Sequence, residues 1–347
     1  MNILVIRFRQ MGDAIVATPL LSSLRKSVPE AQIHFVLNDR IAPLFEGHPA
    51  IDRIITFSND ERHKTFTYLR KVWQIVHQTH YDVIIDMRST MNTLLFPLLS
   101  PNSQFRIGVE KPYSRFILNH RIPGAKPTEA MVDHNLKLIE PLRQLGTLNT
   151  VTELSLYITA EEKEDFRQYM ISKGVDFSRP VMLVGVTAKL EDKTWKEAFM
   201  IETIRRICTE WPDLQVVFNF APGKEAENAR RIYEAVDNPN IFINIDAPSM
   251  RKLAAMLSLS TIYFGNEGGA RHIAQAVGTP SYVICSPSAN KATWIPADNP
   301  FHQAIAATDF LSKDELERMT RQEIYDSITV NRVWEGLTAF CRAQHIL

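Results

Sequence analysis

What this chain of 347 residues lacks narrows its identity first. It has three cysteines, Cys208, Cys285 and Cys341, none close to another in sequence. So sparse and odd a set excludes a disulfide framework or a cysteine zinc site and fits buried thiols in a reducing compartment. Neither charge is in surplus: Lys+Arg and Asp+Glu both number 39. Phosphate binding over an extended surface needs a basic excess, so nucleic acid is not an expected partner, although local basic patches remain compatible with this balance. No apolar run approaches the ~18 residues of a membrane span. The short apolar stretch before Arg7 and Arg9 is also too brief for a secretory signal. The expectation is a cytoplasmic protein, with peripheral membrane contact left open.

Several catalytic signatures are missing as well. The first strand is not followed by Gly-x-Gly-x-x-Gly, which removes the main support for a dinucleotide dehydrogenase. A Gly-Lys-Ser/Thr phosphate loop and a Gly-x-Ser-x-Gly elbow are absent too, against an NTPase and an α/β hydrolase. His77 and His80 have His-x-x-His spacing but no acidic or cysteine partner suited to zinc, so they are read as a solvated pair and no metal is expected.

What is present is a soluble-type composition, 45 % hydrophobic and 22 % charged, long enough for two domains. The first half alternates strand signals at 2–7, 32–37, 53–57, 82–85 and 105–107 with helical patterns at 19–27, 62–77 and 128–145. Thr18-Pro19 reads as an N-cap followed by proline at the first helical position. A second series follows Pro180, with strands at 181–186, 215–220, 241–245, 261–264 and 281–285 and helices near 195–209, 224–235, 249–259 and 270–277. Two βα series imply two doubly wound, Rossmann-like α/β domains, placed at 1–160 and 175–328. Residues 329–347 hold a last amphipathic helix, with Val330, Val333, Trp334, Leu337, Phe340 and Cys341 on one face, expected to pack back on the first domain.

Open α/β sheets hold ligands beyond the carboxyl ends of their strands, which ranks the polar residues there. Asp13 in Gln10-Met11-Gly12-Asp13 follows the first strand; a helix cap is the competing reading. Gly268-Gly269 opens a helix after the strand at 261–264, where backbone N–H groups and a partial positive charge suit phosphate, and Arg271 or His272 could add a donor. The competing reading is a plain turn with His272 bonded in the core. Thr187 and Lys193 follow another strand, with Thr194 and Glu197 at capping-box spacing; a loop lysine is otherwise simply solvated. Glu225 follows a third strand and could accept from ribose hydroxyls, or merely start a helix.

Taken in order, these segments resemble the bacterial ADP-heptose:lipopolysaccharide heptosyltransferases, glycosyltransferase family 9. The matching motifs are Met11-Gly12-Asp13 with Pro19, Tyr81-Asp82-Val83-Ile84-Ile85-Asp86, Arg106-Ile107-Gly108, Asp192-Lys193-x-Trp195, and the turn with Asn266, Gly269, His272 and Gly278-Thr279-Pro280. The resemblance implies the two-domain GT-B fold, the first domain binding acceptor and the second the nucleotide sugar. It also implies inverting transfer from a nucleotide diphosphate sugar, ADP-heptose by family default and a co-substrate, with no bound cofactor. The acceptor would be a lipid-linked or oligosaccharide glycan such as lipopolysaccharide core, reached at the cytoplasmic face of the inner membrane. By the same resemblance Asp13 would be the general base, and Lys193 with Thr187 would stabilise the leaving diphosphate. Glu225, Glu267, Gly268, Gly269 and His272 would bind donor, and Gly12, Arg88 and Arg106 acceptor. A departure is Glu267-Gly268 where the family usually has Asp-Ser/Thr, which puts the donor sugar in question. The alternatives are a GT-B sugar-nucleotide epimerase or phosphorylase, and a non-catalytic nucleotide-sugar binder.

Overall fold

The computed structural model describes residues 1–295 and 299–346. The chain forms two compact units, Met1–Tyr157 and Ile158–Leu347. In the first, β1 (Asn2–Ile6), β2 (Gln32–Asn38), β3 (Arg53–Phe57), β4 (Val83–Asp86), β5 (Phe105–Val109) and β6 (His120–Ile122) form one sheet in the order β3-β2-β1-β4-β5-β6. Every pairing is parallel. The central β1 is apolar because both faces are covered: Ile3, Leu4, Val5 and Ile6 are fully buried. One cover is the helix Thr65–Gln78, whose Tyr68, Val72 and Val76 recur every fourth residue and pack with Leu4, Ile6 and Ile84.

The second unit repeats the plan with β7 (Val181–Gly185), β8 (Gln215–Asn219), β9 (Ile241–Phe242), β10 (Ile262–Asn266), β11 (Ser281–Ile284) and β12 (His302–Ile305), ordered β12-β11-β10-β7-β8-β9. Counted within each unit, both sheets have the doubly wound order 3-2-1-4-5-6, so the direction in which successive strands are added reverses between the first and fourth strands. Ligands of such sheets gather beyond the carboxyl ends at that switch point. In this chain those ends are the exits of β1 and β4 in one unit and of β7 and β10 in the other.

Some sequence expectations need correction. The last helix, Val330–Ala343, does not use its apolar face on the first unit. Val333, Trp334, Leu337, Phe340 and Cys341 are buried in the second unit's own core with Ile207, Ile284 and Ile305. Sequence periodicity identifies an apolar face but not its partner. The pattern at 128–145 is a short α-helix, Met131–Leu136, continued by a 3-10 segment, Lys137–Leu145, that accommodates Pro141. Thr18 is not a cap: Ala17 holds that position, while the Thr18 hydroxyl donates to Ile15 O at 2.8 Å and accepts from Ser155 N at 3.0 Å. Edge strands β6 and β12 and the helix Ala160–Ser172 have no counterpart in the sequence reading; the two strands are short and carry polar residues, as edge strands do.

Candidate active site

At the β1 exit, Asp13 lies inside the short helix Met11–Ile15 and makes no capping bond. Its side chain turns back to Arg7, two buried groups paired at 2.9 Å through Oδ1, with Arg9 at 3.6 Å. Burial pulls the Arg7 guanidinium below its usual range and the Asp13 charge opposes that shift. Arg7 also donates to Met87 O at 3.0 Å and to Asp13 O at 3.3 Å, so it is fixed to both switch-point strands. Among the described residues Asp13 Oδ2 takes no hydrogen bond. The pair thus orients a carboxylate and leaves one oxygen able to accept a proton.

At the neighbouring β4 exit Asp86 is fully buried. Its Oδ1 accepts from Arg88 N at 3.0 Å and Ser89 N at 2.8 Å, and its Oδ2 has no partner among the described residues. Burial pushes this carboxyl up to about 6, against the hydrogen bonds from Ser89, Thr93 and Arg88. The turn it ties presents Arg88, whose guanidinium donates to Phe8 O at 2.8 Å. Arg62 stacks on the Phe8 ring at 4.9 Å and donates to Asn38 Oδ1 at 2.8 Å. Arg7, Arg9, Arg62 and Arg88 therefore converge around Asp13 and Asp86. Arg106, expected to meet the acceptor, is not brought to this edge. Its guanidinium bonds Ile117 O at 2.9 Å and Pro101 O, both at the amino-terminal ends of their strands. Gly12 lies one residue before Asp13, its carbonyl accepting from Val16 N at 3.0 Å.

The β7 and β10 exits hold the second group. Gly185 and Gly265 face each other in register, and a Cβ on Gly265 would come 2.4 Å from Gly185 O, at a φ of +130°. Asn266 then clamps the site: Nδ2 donates to Gly185 O at 3.0 Å and Oδ1 accepts from Trp195 N at 2.7 Å. That pins the loop before Trp195 beside the turn after Asn266, and Lys193 Nζ meets Glu267 Oε1 at 2.9 Å. Ser286 donates to the same oxygen at 2.8 Å. From the far end of the chain, Tyr325 OH donates to Lys193 O at 3.0 Å and Ile328 O accepts from Trp195 Nε1 at 2.9 Å. The expected capping box fails: Thr194 Oγ1 bonds within its own loop to Ala188, and Glu197 pairs with Arg231 at 2.7 Å.

Beside this pair, Thr187 Oγ1 donates to Glu225 Oε2 at 3.0 Å, which joins the β7 and β8 exits. Gly268 precedes the eight-residue helix Gly269–Ala276 in extended backbone, and a Cβ there would meet nothing within 4 Å. The family's serine or threonine would fit, so its absence leaves open volume. The Arg271 guanidinium is buried, with no carboxylate within 4.0 Å among the described residues. It contacts the His272 ring at 2.8 Å and Gln275 Oε1 at 3.3 Å. Burial, with the charge of Arg271, holds the His272 imidazole well below its usual pKa, hence neutral at physiological pH. Sequence reading did not single out Arg7, Asn266 or Tyr325 for these supporting roles. Their signal is purely spatial, since their partners lie up to 132 residues away. His77 donates to or accepts nothing from a metal-type cluster: its Nδ1 lies 2.8 Å from Trp73 O, and no group able to hold a metal occurs among the described residues.

Two doubly wound sheets, with charged groups converging at both switch points, have the GT-B fold. Residues 69–317 match the model of glycosyltransferase family 9 (heptosyltransferase), most of the chain's length, and the chain belongs to that family. A lipopolysaccharide heptosyltransferase 3 of Escherichia coli is 23% identical over 91% of this chain and 92% of its own. Among solved structures, a family 9 glycosyl transferase from Veillonella parvula superposes with a TM-score of 0.78 at 18% identity, covering 98% of this chain and 96% of its own. The E. coli heptosyltransferase WaaC with ADP-2-deoxy-2-fluoro heptose gives 0.73 at 16%, covering 98% and 99%. The chain is therefore a glycosyltransferase.

Proposed function

We propose that this glycosyltransferase transfers a sugar, with inversion, from a nucleotide diphosphate sugar to a lipid-linked surface glycan of the lipopolysaccharide-core kind. ADP-heptose is the proposed donor, supported by the likeness to relatives named for heptosyl transfer and to a structure titled with an ADP-heptose analogue. The observation that carries the reading is the pair of half-sites at the switch points, a clamped acid in one unit and a clamped lysine in the other.

In this reading Asp13 Oδ2 takes the proton of the acceptor hydroxyl as that oxygen attacks the anomeric carbon. Arg7 keeps the carboxylate turned the right way. The glycosidic bond to the donor's diphosphate breaks on the opposite face, and Lys193 meets the charge growing on the departing phosphate. The N-terminal end of the helix Gly269–Ala276 and the buried Arg271 add positive potential near that charge. Glu225 and Thr187 suit the nucleoside, Glu267 the sugar hydroxyls, and Arg88 with Gly12 an anionic acceptor. The open volume at Gly268 widens the range of sugars the turn can admit.

The test is transfer of labelled sugar from ADP-heptose to a truncated lipopolysaccharide acceptor, alongside thermal shifts with ADP, GDP and UDP. Acceptor-dependent product and the largest shift with ADP are expected. Turnover of the donor without any acceptor would replace this reading with an epimerase, and nucleotide binding without turnover would replace it with a binding protein.

A further inference from the structure

In the second unit, the turn after Glu267 offers a sugar little of its own. Gly268, Gly269 and Ala270 carry no polar side chain, and a Cβ on Gly268 would meet nothing within 4 Å. The neighbouring strand supplies polar groups instead. Glu267 N donates to Ile284 O at 3.2 Å, which ties the turn to the end of β11. The chain leaving β11 then meets the turn at two places. Ser286 reaches Glu267, and the Trp294 ring meets the His272 ring edge-on, with 5.4 Å between centroids at 82°. Between them Lys291 fastens the segment, its Nζ 2.8 Å from both carboxylate oxygens of Asp309.

The hydroxyls here form a chain with one direction. A carboxylate only accepts, and Glu267 Oε1 takes both Lys193 Nζ at 2.9 Å and the Ser286 hydroxyl at 2.8 Å. Ser286 has a single hydroxyl proton and gives it to Glu267. The Ser288 hydroxyl, 2.9 Å away, therefore donates to Ser286 Oγ. What is left facing outward is capacity to accept. Among the described residues Glu267 Oε2 takes no hydrogen bond and is not enclosed, and the exposed Ser288 Oγ has no second partner. Two outward acceptors side by side suit the hydroxyl hydrogens of a sugar. Ser286 itself is 2% exposed, too deep to touch that sugar, so its effect runs through Glu267.

The geometry points to Ser286 as a positioning residue for the donor sugar. With Glu267 facing the sugar, as in the proposed function, Ser286 and Lys193 hold its carboxylate by one oxygen, so that Oε2 accepts from a sugar hydroxyl and Ser288 accepts from a second. Without Ser286 the carboxylate keeps its lysine but loses the second point that fixes its plane.

The experiment is calorimetry on the full chain with ADP-heptose, ADP-glucose, GDP-mannose and UDP-glucose, each beside its parent nucleoside diphosphate. Ser286→Ala should weaken the nucleotide sugar that the wild type binds best by about tenfold, the worth of one hydrogen bond to a charged group, while the parent diphosphate binds as before. Ser288→Ala, at an exposed side chain, should give a smaller loss of the same kind. A loss shared equally by the parent diphosphate would assign Ser286 to the nucleotide side or to the fold and overturn the proposal. Unchanged binding of the nucleotide sugar by Ser286→Ala would overturn it too. If that variant does not fold, Ser288→Ala decides by the same two criteria. A best-bound sugar other than ADP-heptose, weakened in the same way, would replace the donor of the proposed function and leave Ser286 in its role.

Discussion

The two units share one strand order but hold their reactive groups in opposite electrical surroundings. Residues 1–157 contain 18 basic and 14 acidic side chains, whereas residues 158–347 contain 21 and 25. In the basic unit the group proposed for the chemistry is an acid, Asp13, oriented by Arg7. In the acidic unit it is a lysine, Lys193, oriented by Glu267. Each of these side chains is thus met by opposite charge through one atom, Asp13 by Arg7 and Arg9 at Oδ1 and Lys193 by Glu267 at Nζ. The zero net charge of the whole chain hides this division.

The largest effect expected from breaking this symmetry is at Asp13. Asp13→Asn should lower the transfer rate by about 10²–10⁴-fold, the usual contribution of a general base, while donor binding by calorimetry stays near wild type. Equal loss of donor binding would mean that the carboxylate serves structure. Next comes the mirror experiment: Lys193→Ala should cost about 10²–10³-fold in kcat through the leaving group. Activity close to wild type would remove Lys193 from the site.

A third prediction sharpens the contrast between a paired and an unpaired acid. Asp86 titrates at about 6 in the fold, above its unfolded value near 3.8, so the native state binds the extra proton. Its contribution to stability is fully present below the unfolded value and is lost as pH rises through about 6, a change of ~3 kcal/mol. Asp86→Asn keeps an oxygen to accept from Arg88 N and Ser89 N but removes the titration. Its melting temperature should exceed that of the wild type at pH 8, and the two should converge toward pH 4. Identical pH profiles would sink this account. Smallest of all, Arg106→Met should leave kcat and acceptor KM unchanged and cost about 1–3 kcal/mol of stability, because carbonyls of Pro101 and Ile117 lose their donor. A raised acceptor KM would restore Arg106 to the acceptor site.

The fold was readable where strands are buried on both faces. The runs at β1, β7 and β10 are apolar because helices cover them, and their succession implied two doubly wound sheets. Edges were not readable: His120–Ile122 and His302–Ile305 contain a histidine each and no apolar run, and they become strands only because a neighbour offers hydrogen bonds. At the sites, position after a strand singled out Asp13, Lys193 and Glu225, but not what holds them. Arg7 looked like a charge ending a strand, and its inward turn depends on the approach of Met87 from β4. The last helix misled for a related reason. A face with Trp334 and Phe340 must be covered, and only packing tells by what.

The fastening of the lysine loop has a consequence for synthesis. Tyr325 OH and Ile328 O reach Lys193 and Trp195 across 132 and 133 residues of chain. On the ribosome the strand that precedes the loop emerges long before these anchors do. The loop around Lys193 can become rigid only once residues 325–328 have emerged, so a product cut short before Tyr325 would keep most of the sheet yet leave the proposed donor loop without its anchors.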